Sequence, residues 1–345
     1  MDLPSPTYAF TIPSVYDEIQ LDCRLYLPRE LSETEYTFSG PIRGAIVAHP
    51  YATLGGCYDD PVVGFVGGEL LEAGYVVGTF NFRGAGGSEG STSWTARPEL
   101  ADYVSFYGFM LFYLHGLRLQ VASQGGRENM TDAIRQMSSE ENSEDARTNV
   151  HLVLGGYSYG SMITSHLPAI GIIADLFENS SDGSAPHEIS RAAEKALVLS
   201  TNIKKVQEKL PPIGDFSDRK GTLHVSRTKI SYLLVSPLLP PINLFLTFFS
   251  KLSLEVGTHT SAEGKHVPCP SPTDQLSANP TMAIYGNQDA FTSASKLHRW
   301  SENLTRVQGS QFRSVEVDRA GHFWREIGAE TQARDVLRKW CREMH

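Results

Sequence analysis

The sequence predicts an α/β fold: one mostly parallel sheet with helices on both faces. Three observations carry this expectation. Runs such as "GAIVAHP" (44–50), "YVVGTFNF" (75–82) and "HLVLGG" (151–156) are apolar at nearly every position, as in strands buried on both faces. They alternate with segments of helical length, the rhythm of βαβ units. Each also gives way to a loop rich in glycine or proline.

The elements follow in order. "TYAFTIPS" (7–14) and "IQLDCRLYLP" (19–28) mix β-branched with aromatic residues and end at prolines, as edge strands do. After the strand at 44–50, Asp60 is placed to cap a helix, with Pro61 at its first position and Gly74 as its stop. The strand at 75–82 opens into "RGAGGSEG", and a helix is expected from near Pro98 through "ELADYVSFYGFMLFYLHGL". "HLVLGG" precedes the helix that begins "YGSMITSHL". "KISYLLVS" (229–236), "TMAIYG" (281–286) and "FRSVEVD" (312–318) read as further strands. "SASKLHRWSENLTRV" and "AETQARDVLRKWCREM" read as helices.

Two stretches break the rhythm. Residues 121–149 are polar and rich in Ser and Glu, and 172–227 form a long excursion with helical pieces, "EISRAAEKALVLS" and "IKKVQEKL". Neither reads as a domain. The expectation is a single domain over 1–345, with a polar insertion at 121–149 and a lid at 172–227 folded over the carboxyl ends of the strands. An irregular loop over 251–279 is expected to join that lid.

Composition narrows the function classes. The 345 residues are 41% hydrophobic and 20% charged, enough to bury a sizeable core. A net charge of −9 argues against nucleic acid as the main partner, because phosphate binding wants a basic surface. It gives no attraction to an anionic membrane either. Cys23, Cys57, Cys269 and Cys341 are far apart and form no CxxC, which favours free thiols in a reducing compartment. With no signal-peptide pattern at the start, a cytoplasmic location is expected, and Asn129, Asn179 and Asn303 are chance sequons. The most apolar window, Tyr232–Ser250, carries Pro237, Pro240 and Pro241 and suits a buried strand and loop better than a membrane span.

The chemistry centres on "LVLGGYSYGSM". Gly156-Tyr157-Ser158-Tyr159-Gly160 matches G-x-S-x-G, in which a strand turns abruptly into a helix and leaves the serine oxygen at the apex. The residues two before and two after must be small to avoid the neighbouring backbone. A P-loop would need Lys and then Ser or Thr after Gly160, where Ser161 and Met162 stand, so the nucleotide reading fails. The bland alternative is a glycine-rich turn. A nucleophilic serine needs an acid and a base in the order Ser, Asp/Glu, His. Asp289 in "YGNQDAF" and His322 in "DRAGHFW" follow in that order, each just past a strand. Taken singly, Asp289 could be a helix-terminal acid and His322 an idle loop histidine.

The rival histidines are less well placed. His151 begins its strand at the wrong end, and His166 and His298 lie on helices. His115, His187, His224, His259 and His266 fall in helix or excursion regions without a suitable acid. With no HExxH and no His/Cys cluster, neither a metal nor a cofactor is expected. An oxyanion hole needs two backbone N–H groups. One is expected from Tyr159 and the other from Tyr51 or its neighbour Ala52, since Pro50 has no N–H. His49-Pro50 could also be a mere strand terminator.

Together, His49-Pro50, "NFRGAGGSEG", "GGYSYGS", "YGNQDAF" and "AGHFW" resemble an intracellular α/β-hydrolase-fold serine hydrolase, from about Gly44 to the C-terminus. The resemblance implies an eight-stranded sheet, with Ser158 attacking a carbonyl, His322 moving the proton and Asp289 holding the imidazole. It makes Arg83 a loop staple rather than a substrate ligand. His49-Pro50-Tyr51 departs from the commoner His-Gly pattern of the oxyanion loop. The leading expectation is hydrolysis of a carboxylic ester, thioester or related acyl bond in a small, largely apolar substrate. Two alternatives stand beside it: a tailoring enzyme of small-molecule biosynthesis performing cyclisation, condensation or acyl transfer, and a non-catalytic binding protein on the same fold.

Overall fold

The apolar runs lie side by side at the centre of the molecule. A computed structural model of the protein describes residues 1–32, 40–125, 148–205, 223, 225–247, 252–257 and 265–344. Its strands are β1 (Tyr8–Pro13), β2 (Gln20–Tyr26), β3 (Ile42–Ala48), β4 (Val76–Phe80), β5 (Val150–Tyr157), β6 (Thr228–Val235), β7 (Ser253–Val256), β8 (Lys265–Pro268), β9 (Thr281–Gly286) and β10 (Phe312–Val317). Eight of them form one sheet in the order β1-β2-β4-β3-β5-β6-β9-β10. β2 pairs antiparallel with β1 and β4, and every other pairing in this sheet is parallel. This is the eight-stranded, mostly parallel α/β sheet that the sequence and the resemblance implied. β4 and β5 are buried at every residue, whereas the edge strand β1 alternates. Each buried Val, Leu or Ile contributes about 1.5–3 kcal/mol, so these runs settle which strands are central.

Helices cover both faces. They are α1 (Pro61–Glu72), α2 (Arg97–Gly125), α3 (Tyr159–Thr164), α4 (Ile170–Glu178), α5 (Ala185–Lys205), α6 (Ile242–Leu246), α7 (Pro272–Ala278), α8 (Ala294–Thr305) and α9 (Ala329–Glu343). α1 starts as expected, with the Asp60 carboxylate accepting from the Val62 N–H at 2.8 Å, and it stops at Gly74 with φ 81°. α9 docks on α1 through Glu69, a buried carboxylate that accepts from Arg334 Nη1 at 2.8 Å and Arg338 Nε at 2.7 Å.

α2 is buried at every residue from Pro98 to Leu111, which marks a helix covered on every side. Its Phe106 and Leu114 lie against the sheet at Gly78 and Gly44. On its outer side the Phe177 ring of α4 sits so close to Gly108 that any Cβ there would collide with it. The Tyr113 hydroxyl meets Ser200 of α5 at 2.8 Å.

The described part of the 172–227 excursion packs against α2 and β1. The outer face of α2 takes Phe177 and Leu197 as apolar partners. Residues 206–222 and 224 of the excursion lie outside the described residues, as do 126–147 of the polar insertion. The stretch 251–279, expected to be irregular, contains the antiparallel β7–β8 pair and α7. Those strands have four residues each and too little alternation to be read from sequence. Among the described residues no helix is long and apolar enough to cross a membrane.

Candidate active site

The chain reverses at a single residue between β5 and α3. Ser158 has φ 55° and ψ −113°, a sparsely populated conformation that costs about 1–3 kcal/mol. Its own N–H donates to the Val235 carbonyl at 2.9 Å, and its carbonyl accepts from the Ser161 hydroxyl at 2.7 Å. Both backbone groups are thereby occupied, which holds the strained turn in place. A Cβ on Gly156 would strike the backbone of Gly160, and one on Gly160 would strike the carbonyls of Ala48 and His49. The spacing of small residues around Ser158 is therefore a packing requirement of this turn.

The three residues singled out from the sequence meet here. Ser158 Oγ lies 2.8 Å from His322 Nε2, and His322 Nδ1 lies 2.7 Å from Asp289 Oδ2. The other carboxylate oxygen, Asp289 Oδ1, accepts from the N–H groups of Phe291 at 2.8 Å and Thr292 at 3.0 Å. A carboxylate can only accept, so Nδ1 carries the proton and Nε2 presents its lone pair to the serine hydroxyl. All three residues are buried, with Ser158 7% exposed.

Two loops deliver the acid and the histidine, and each is tied to the other. The Gln288 N–H donates to the Ala320 carbonyl at 2.9 Å, and Asn287 Oδ1 accepts from the Arg319 N–H at 2.8 Å. The Tyr157 hydroxyl donates to the His322 carbonyl at 2.9 Å, and Trp324 Nε1 donates to Ser236 Oγ at 3.0 Å. Sequence reasoning missed Tyr157 and Trp324. Tyr157 stands 165 positions from its partner, and no local pattern marks such a bond.

The rival histidines have structural partners. His115 and His151 hydrogen-bond Thr228 at 3.0 Å and Ser231 at 2.9 Å, and His166 Nδ1 meets the Met162 carbonyl at 2.8 Å. His298 pairs with Glu302 on the surface of α8, and His187 stands 3.8 Å from Asp182. His224, His259 and the side chain of His266 lie outside the described residues. Arg83 is the staple that was expected. It donates to Asp102 through Nε at 2.9 Å and Nη2 at 2.7 Å, and to Asp17 through Nη1 at 3.0 Å. Among the described residues no group of three or more His, Cys, Asp or Glu side chains is placed to hold a metal ion. A cavity of about 260 Å³ lined by Tyr16, Asp17, Asp175 and Ser184 lies apart from Ser158.

The loop after β3 runs beside the Ser158 turn, with the rings of Tyr51 and Tyr159 5.0 Å apart. Tyr159 occupies the first position of α3, where a backbone N–H has no acceptor within its own helix. The Tyr51 carbonyl closes a short turn by accepting from the Leu54 and Gly56 N–H groups at 3.1 and 3.2 Å. His49 does more than terminate a strand. Its Nδ1–H donates to the Pro50 carbonyl at 2.6 Å, and its Nε2 accepts from the Phe82 N–H at 2.9 Å. The neutral ring thus ties the β3 loop to the exit of β4.

Burial pushes the His49 pKa down from 6.5 to about 4, against the opposing pull of the hydrogen bond to Pro50. The unfolded chain therefore binds a proton that the folded protein refuses, and stability rises with pH across that window. It is fully present above about pH 6.5 and is lost as pH falls towards 4, by an amount on the order of 3 kcal/mol. Urea unfolding between pH 7 and pH 4 checks this: wild type should lose stability more steeply than His49→Gln. Burial shifts His166 in the same direction, so parallel slopes in the two proteins would assign the loss there instead.

No protein-family model matches the chain, and no curated protein matches it. Solved structures do resemble it. An α/β serine hydrolase without a lid from Xanthomonas campestris is 17% identical over 100% of this chain and 97% of its own, with a TM-score of 0.46. An α/β serine hydrolase homologue from Coxiella burnetii is 15% identical over 98% of both chains, with a TM-score of 0.45. Est1E from Butyrivibrio proteoclasticus, solved with ferulic acid bound, is 12% identical over 97% of this chain and 98% of its own, with a TM-score of 0.48. These likenesses lie in the chain trace and say nothing of a substrate.

Proposed function

We propose that the protein is a serine hydrolase that cleaves a carboxylic ester, thioester or related acyl bond through an acyl-enzyme at Ser158. The observation that carries this reading is the unbroken hydrogen-bonded chain from Ser158 Oγ through His322 to Asp289, with the serine at a strained turn. In this mechanism His322 Nε2 takes the hydroxyl proton as Oγ attacks the carbonyl, and Asp289 stabilises the imidazolium that forms. The backbone N–H groups of Tyr159 and Tyr51 receive the developing oxyanion. His322 then protonates the leaving group, and a water activated by the same imidazole releases the acid. No metal or cofactor takes part in these steps.

A largely apolar substrate is favoured by exposed apolar side chains in the segments that follow the strands. Leu54, Trp94, Phe245 and Phe323 are large and exposed, and they follow β3, β4, β6 and β10 respectively. Treatment with a fluorophosphonate followed by peptide mapping tests the proposal, with the adduct expected on Ser158 alone. Turnover of an ester in heavy-oxygen water should then place the label in the released acid. Label on another residue, or a product lacking heavy oxygen, would contradict hydrolysis through this serine.

A further inference from the structure

We infer that Phe291 and Phe323 form a leaving-group subsite for an aromatic alcohol or thiol, so that the preferred substrates are arylalkyl esters or thioesters. This rests on the reading of His322 as the proton donor. In acylation the Ser158 Oγ–carbon bond forms and its proton moves to Nε2. The bond from that carbon to the leaving oxygen or sulfur then breaks as Nε2 returns the proton, releasing a neutral alcohol or thiol. The leaving atom must therefore come within about 3 Å of Nε2, and the rest of the leaving group must lie against whatever surrounds the imidazole.

Two phenyl rings stand there. The Phe291 ring lies 4.3 Å from the His322 ring, centre to centre, and the Phe323 ring 5.4 Å from it at 87°. They meet each other edge to face at 5.8 Å. Phe323 is 52% exposed although its neighbours on both sides are buried and anchored, His322 by Tyr157 and Trp324 by Ser236. Its exposure is thus imposed by a fixed backbone and is not the drift of a loose loop. Phe291 is half-buried, and its backbone N–H is held by Asp289. The Arg325 guanidinium lies 5.5 Å from the centre of the Phe323 ring.

The test compares phenethyl butyrate with cyclohexylethyl butyrate. These share an acyl group, have leaving alcohols of similar size and acidity, and differ in aromaticity. Wild type should favour the phenethyl ester in kcat/KM by roughly threefold to tenfold, the worth of one edge-to-face pair. Phe323→Ala should bring the ratio to about one, and Phe323→Tyr should restore it. Phenethyl alcohol should also slow fluorophosphonate labelling of wild-type Ser158 at lower concentration than cyclohexylethanol, a readout that needs no turnover. Equal treatment of the two esters, or a ratio unmoved by Phe323→Ala, overturns the subsite. Failure of both esters on a protein that labels at Ser158 overturns it as well. A protein that does not label at Ser158 overturns the hydrolase reading beneath it.

Discussion

Ser158→Ala is expected to lower kcat for a nitrophenyl ester by up to about a millionfold and to abolish labelling by a fluorophosphonate. The size follows from what is lost. Without Oγ no acyl-enzyme forms, and His322 and Asp289 have nothing to activate, so the hydrogen-bonded chain fails as a unit. The fold should be spared. Alanine has the same Cβ as serine, and the two bonds that hold the turn, from the residue 158 N–H to Val235 and from Ser161 to its carbonyl, use backbone atoms at position 158. Circular dichroism and a urea midpoint near that of wild type would separate lost chemistry from lost structure. Substantial activity or labelling in this variant would show that another nucleophile does the work.

Asp289→Asn should lower kcat by about ten thousandfold with little change in KM. The direction follows from the two carboxylate oxygens. Oδ1 accepts from the Phe291 and Thr292 N–H groups, so the amide oxygen of asparagine will stay on those donors. Its NH₂ then faces His322 Nδ1, where Asp289 Oδ2 sits in the native protein. A donor facing Nδ1 forces the proton onto Nε2, and that tautomer cannot accept the proton of Ser158. Fluorophosphonate labelling should slow in step with turnover. An Asp289→Asn protein with near-native rates would mean that another group orients the imidazole.

Much of the site was legible in the sequence because its parts are local. The turn at Ser158 demands small residues at 156 and 160, and a one-dimensional pattern records that demand. Asp289 and His322 each follow a strand whose apolar run can be read on its own. The supporting bonds were not legible. Tyr157 to His322, Trp324 to Ser236 and His49 to Phe82 join residues far apart in the chain, and each depends on where two separate loops cross. The position of the 172–227 helices was not legible for a related reason. Their amphipathic pattern declares that one face needs a partner, but it does not say whether the partner is the rim of the sheet or the outer side of α2.

The sequence by itself determined the central strands, the helices between them and the order in which Ser158, Asp289 and His322 arrive, each just past a strand. Hydrophobic periodicity and turn geometry are short-range constraints, and short-range constraints leave a mark on neighbouring residues. Only the tertiary structure decided the 2.8 and 2.7 Å bonds of the serine–histidine–aspartate chain, the neutral His49 strut and the two rings against His322. Each of those depends on the separation of side chains brought together by the parallel sheet, and that separation is fixed by packing across the whole domain.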